Sequence, residues 1–196
     1  PSTPAIWKVS DADNRLYLLG SFHALRADDY PLSPTVDAAY ADAEKLVFEL
    51  SPAQLQSPEL PARIAQMASL PAGQSLRNSL PEKTWKALKL QGFEPWYVAM
   101  TVINAQARSE GFDAERGLDQ HVMNRAKNAR KPTRGLETAE QQIALFDSMN
   151  RAAQVQLLDE ALFDTSGSGE RLEQLHRLWK SGEMAEFEKL TVTEMR

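Results

Sequence analysis

Residues 5–25, AIWKVSDADNRLYLLGSFHAL, decide the fold. Two short apolar runs, Ile6–Val9 and Arg15–Leu19, flank Ser10-Asp11-Ala12-Asp13-Asn14, a segment dense in turn formers. That pattern predicts a β-hairpin whose connection is longer than the tightest two-residue kind. The second strand runs directly into Gly20-Ser21-Phe22-His23. Next come a loop with two prolines, Asp28–Pro34, and a helix through VDAAYADAE. Ser33 can cap that helix, and Pro34 can take its first position, where a missing N–H costs nothing. KLVFEL, residues 45–50, then reads as a strand buried on at least one face, ended by Ser51-Pro52. A strand–helix–strand crossover predicts parallel pairing of the second and third strands.

After Pro52 the pattern turns helical. The expected helices are Ala53–Leu70, Pro81–Gln91, Pro95–Ser109, Gly117–Ala129, Ala139–Asn150, Ala152–Phe163 and Glu170–Ser181, with a short one from Glu183. In PEKTWKALKL, for example, Trp85, Leu88 and Leu90 fall roughly on one face. One strand interrupts, Pro132–Leu136, and it is expected to return to the first sheet. Thr165–Gly169 reads as a flexible linker. The fold class is α+β, α/β-like: a small mixed sheet, a large helical insertion at about 53–130, and flanking helices in a single domain over residues 1–196.

The 196 residues are 42% hydrophobic and 25% charged, enough apolar material for a sizeable core. The net charge is −5, and Lys and Arg are scattered rather than striped, which argues against a nucleic-acid partner. No apolar run approaches the roughly 18 residues of a membrane span. The absence of cysteine excludes disulfides, thiolate catalysis and Cys-ligated metals. The start, Pro1-Ser2-Thr3-Pro4-Ala5, reads as a processed N-terminus, so an extracytoplasmic location, periplasmic or secreted, is expected over a cytoplasmic one.

His23, Glu49 and Glu137 each lie at the carboxyl end of an expected strand. Sites of open α/β sheets form beyond those ends, so the three are expected around one cavity. One imidazole and two carboxylates suit Zn, Mn, Fe or Co, and such an ion can activate a water. Taken singly, each has an ordinary alternative as a loop, cap or surface residue, and no compact HExxH is present. His121 is expected on a helix surface, and Trp85, Trp96, Tyr97 and Trp179 in packing between helices. Arg134, beside Gly135, could reach a substrate carboxylate but also reads as an ordinary surface Arg.

Residues 5–50, and then 117–146, GLDQHVMNRAKNARKPTRGLETAEQQIALF, resemble the TraB/GumN family of the TIKI metalloprotease superfamily. Gly20-x-x-His23 resembles its GxxH signature, Glu49 the acid of its FEL strand, and Glu137 the acid of its GLE block. The resemblance implies His23, Glu49 and Glu137 as catalytic and metal-binding residues, with Asp119, Gly20 and Arg134 as supporting positions. It also implies a divalent metal of the Mn, Co or Zn type and a peptide or small-molecule substrate. The implied function is a metal-dependent hydrolase, a peptidase first of all, using metal-activated water with a Glu as base. The alternatives are a metal- or ligand-binding protein without turnover on the same scaffold, and a helical interaction protein in which the three residues are unrelated in space. A second GxxH-like element, G-A-G-H-L, and the E-R-N stretch before it belong to the family pattern and are absent here; His176, in LEQLHRLWK, does not match them. The expectation is therefore a C-terminally incomplete domain with a strand edge or apolar surface left open, which either self-associates or is a fragment of a longer chain, and which carries no fully coordinated catalytic metal.

Overall fold

The computed structural model describes residues 1–88, 90–163 and 167–192. It is mixed α+β, as expected. β1 (Ile6–Ser10) and β2 (Arg15–Leu19) form an antiparallel hairpin in register Ile6↔Leu19 through Ser10↔Arg15. The turn is closed by the Asp11 carboxylate, which accepts the N–H groups of Asp13 and Asn14 at 3.2 and 2.7 Å. Short side-chain acceptors of this kind are why Asp and Asn dominate such turns. Trp7 stands opposite Leu18 and Val9 opposite Leu16, and these four apolar side chains remain about half exposed. α1 (Pro34–Asp42) starts with Pro at its first position, and its end is tied to β2, whose Tyr17 Oη donates to Asp42 at 2.8 Å.

β3 (Leu46–Leu50) does not pair with β2, and β4 (Thr133–Glu137) does not return to the first sheet. Among the described residues two separate two-stranded sheets form instead, β1–β2 and β3–β4. Leu46 N–H donates to Pro132 O at 2.9 Å, and further along Gly135 lies against Leu50 and Ser51, so β3 and β4 run parallel. Gly135 makes the approach feasible, since a Cβ there would stand 2.5 Å from Ser51 N. Periodicity cannot report such backbone proximity, which is why the sequence favoured the nearer partner, β2.

The further α-helices among the described residues are α2 (Pro52–Leu55), α3 (Leu60–Met67), α4 (Glu82–Ala87), α5 (Pro95–Ser109), α6 (Leu118–Ala129), α7 (Ala139–Asp147), α8 (Arg151–Phe163), α9 (Ser168–Ser181) and α10 (Met184–Val192). The single helix expected over Ala53–Leu70 is broken, because Pro58 disfavours helical geometry at Ser57 and Pro61 sits in the first turn of α3. The helix expected over Pro81–Gln91 shortens to α4; Lys89 within it lies outside the described residues. Thr165 and Ser166 of the expected linker also lie outside them, as does the end Thr193–Arg196, whereas 168 and 169 open α9.

The chain divides into two compact units. The first comprises Pro1–Leu46, Ala107–Thr133 and Ser168–Arg196. Its core joins Leu25, Leu32, Val36, Leu118 and Trp179, with Leu19, Phe22, Val122 and Phe187 packed against it. The second comprises Val47–Gln106 and Arg134–Gly167. It is centred on Leu76, Leu80, Leu88, Val98, Ala99, Leu158 and Ala161, and on Trp96 stacked against Phe146 at 5.8 Å. No described helix is long and apolar enough to cross a membrane.

Candidate functional site

The segment Gly20–His23 leaves β2 and is stitched to the start of α6. Gly20 N–H donates to Ala5 O at 2.9 Å, closing the base of the hairpin. Leu118 N–H donates to Phe22 O at 3.0 Å, and Leu25 exchanges two backbone hydrogen bonds with Asp113, at 3.0 and 3.1 Å. Between these ties Gly117 lies directly on the His23 peptide: a Cβ on Gly117 would stand 2.2 Å from His23 O. Only a residue without a side chain permits that approach.

This stitching sets His23 beside Asp119, the second residue of α6, with Nδ1 and Oδ2 2.6 Å apart. Burial alone would raise the Asp119 pKa. The hydrogen bonds from His23 and Ser21 outweigh it and hold the carboxyl below its ordinary range. The position also suits an anion, because the N-terminal turn of a helix carries partial positive charge. Asp119 is largely covered, whereas the His23 side chain is 70% exposed. In the neutral ring, a carboxylate on Nδ1 keeps the proton there and turns the Nε2 lone pair outward, the arrangement in which carboxylates orient metal-binding or proton-accepting histidines.

The lowered Asp119 pKa has a sign. A depressed folded pKa contributes stability that is present above the unfolded value, here 3.8, and is lost as the pH falls through the folded value. Asp119→Asn should therefore lower the melting temperature near neutral pH. The gap to the wild type should close as the pH falls below about 4. Melting curves at stepped pH check this, and a gap that stays constant into acid would contradict it.

Glu49 and Glu137 belong to the second unit, on the two paired strands β3 and β4, and both are exposed. Gln142 Nε2 lies 3.4 Å from Glu49 Oε2. Glu137 directly precedes Thr138, which caps α7: Thr138 Oγ1 accepts Gln141 N–H at 3.2 Å, and Thr138 N–H donates to Gln141 Oε1 at 2.7 Å. Arg134 is exposed on β4. His23 thus joins Asp119 and Ser21 in the first unit, while the two glutamates share a sheet in the second. Among the described residues no group of three or more His, Asp or Glu side chains is placed to hold a metal ion. His121, expected on a helix surface, is half-buried and stacked on Tyr30 at 4.4 Å, so its flat ring serves packing.

Two features gave little sign of their role. Gly117 was legible only as the first letter of GLD. The buried cluster of Asp29, His176 and Lys180 was hinted at only by the helical spacing of His176, Trp179 and Lys180.

The chain belongs to the TraB/PrgY/gumN family, whose model matches residues 5–196. It is similar to the uncharacterized protein YbaP of Escherichia coli K12, at 27% identity over 188 residues, which cover 90% of this chain and 68% of the relative. The uncharacterized protein YbaP of Shigella flexneri is similar at the same identity and coverage. No solved structure matches.

Proposed function

We propose that the chain belongs to a hydrolase, metal-dependent and acting on a peptide or another small carbonyl-containing substrate, in which His23 is the central functional side chain. The observation that carries this reading is the His23–Asp119 pair, an exposed imidazole oriented by a covered carboxylate at a helix start. Asp119 Oδ2 accepts the hydrogen bond from Nδ1–H, fixes the ring plane and leaves the Nε2 lone pair to face an ion. Exposure on a loop lets substrate reach the ring, while the stitching of Phe22 and Leu25 to residues 113–118 keeps it from wandering. A divalent ion of the Mn, Co or Zn type would supply a water of lowered pKa. For such an ion the His23 imidazole is a well-supported ligand, but no three-ligand set is present among the described residues, so the fit is partial. Glu49 and Glu137 enter as carboxylate ligands or bases on the family resemblance.

The test measures hydrolysis of a fluorogenic peptide pool with Mn²⁺, Co²⁺ or Zn²⁺ added, against a chelator control. His23→Ala should abolish turnover and cost about 1–2 kcal/mol of stability, because the largely covered Asp119 carboxylate loses a hydrogen-bond donor while keeping Ser21. Binding of the ion by the wild type without turnover would favour a binding protein. Wild-type rates in His23→Ala would end the assignment.

A further inference from the structure

We propose that one face of α9 fixes the loop that carries His23, and that Trp179 is its positioning residue. The catalytic consequence rests on the hydrolase reading above; the geometry does not. Trp179 is 1% exposed, and its indole N–H donates to Gly20 O at 2.9 Å. A buried indole N–H needs an acceptor, and here the acceptor is the first residue of the GxxH segment. The Phe22 ring, adjoining His23, rests on Trp179 at 5.7 Å and meets His176 edge-on at 5.8 Å.

The same helix face reaches the other side of the loop. Arg26 N–H donates to Asp29 Oδ2 at 2.8 Å. The Asp29 carboxylate is held in turn by His176 Nε2, 2.9 Å from each oxygen, and by Lys180 Nζ at 2.8 Å. His176, Trp179 and Lys180 are spaced i, i+3, i+4, so they project from one side of α9. That side thus secures the chain at Gly20 and at Arg26, with His23 between. α6 supplies the remaining wall through Gly117 and Asp119. Residues 20 and 26 fix where the His23 backbone sits, and its place decides whether Nδ1 meets Asp119.

A Trp that only fills space can be replaced by Phe with a loss of stability alone. A Trp that positions His23 cannot, because Phe lacks the donor for Gly20 O. The second unit supplies the control: Trp96 is 3% exposed, and its indole N–H has no hydrogen-bond partner among the described residues. Trp96→Phe removes the same volume without releasing a loop. The experiment labels histidine with ¹⁵N in the full chain and reads the His23 ring nitrogens above the ordinary imidazole pKa. The wild type should show the Nδ1–H tautomer. Trp179→Phe should show a mixture of both tautomers and a kcat lowered by at least about tenfold with KM nearly unchanged. Trp96→Phe should keep the wild-type ring signature. An unchanged signature in Trp179→Phe, or an equal change in both variants, would overturn the proposal. The expected tautomer change without hydrolysis by any form of the protein would support the loop-positioning role and overturn the hydrolase reading alone.

Discussion

Replacing Asp29 by alanine should destabilise the protein by about 3–5 kcal/mol, the range for removing one partner of a buried charge pair. Asp29 is 0% exposed, and its carboxylate takes His176 Nε2, Lys180 Nζ and the Arg26 N–H. Its backbone carbonyl accepts the Ser2 hydroxyl at 2.6 Å. Burial pushes the Asp29 pKa up, but Lys180, the Arg26 backbone and His176 together bring it below 3.8. Its stabilising contribution is therefore complete above that pH and disappears as the pH falls through the lowered value. Alanine leaves a 4%-exposed imidazole and the Arg26 N–H without their acceptor, which is the costly half of the exchange. Asn keeps the shape and one acceptor oxygen, so Asp29→Asn should lose less than alanine does. Urea unfolding at neutral pH reads both values. A loss under about 1 kcal/mol for alanine would show that the cluster does not hold the first unit together.

The same residues show what the sequence could and could not disclose. The hairpin and the Gly20–His23 segment were legible because turn formers, strand alternation and a four-letter motif are all local signals. α5 and α6 emerged at nearly their expected bounds for the same reason. The pairing of β3 with β4 was not legible, because it turns on the bare Cα of Gly135 against Ser51, more than 80 residues away along the chain. Asp29 lies in a proline-rich loop and gives no sign of burial; its partners His176 and Lys180 stand 147 and 151 residues further on. His23 was legible as a candidate through the motif. Its partner Asp119 was visible only as a supporting acid of the GLD block, since a covered carboxylate and an exposed one look alike in sequence. Trp179 read as ordinary helix packing, and packing is part of its role; the hydrogen bond to Gly20 O adds the part that periodicity cannot carry.

Gly117→Ala should be the most damaging single-methyl change near His23. The new Cβ would fall 2.2 Å from His23 O, 2.7 Å from His23 C and 3.1 Å from Ala114 O. All three are backbone atoms, so no side-chain rotation relieves the overlap. Conformation is not the obstacle, since Gly117 has φ −52° and ψ 152°, open to any residue. The requirement is space alone. Either α6 backs away, breaking the Leu118–Phe22 backbone bond, or the His23 peptide moves off Asp119. Overpacking of this kind costs about 1–3 kcal/mol, and a displacement of about 1 Å at a reacting group can lower turnover about 100-fold. Gly20→Ala is the internal comparison. Its Cβ would lie 3.4 Å from Ala5 O, an ordinary contact, so melting temperature and His23 tautomer should stay close to wild type. The first glycine of the motif is thus predicted to be sterically dispensable, and the glycine of the distant GLD block to be required. Equal tolerance of alanine at both positions, in melting temperature and in hydrolysis, would mean that the close approach of Gly117 to His23 plays no part in holding the site.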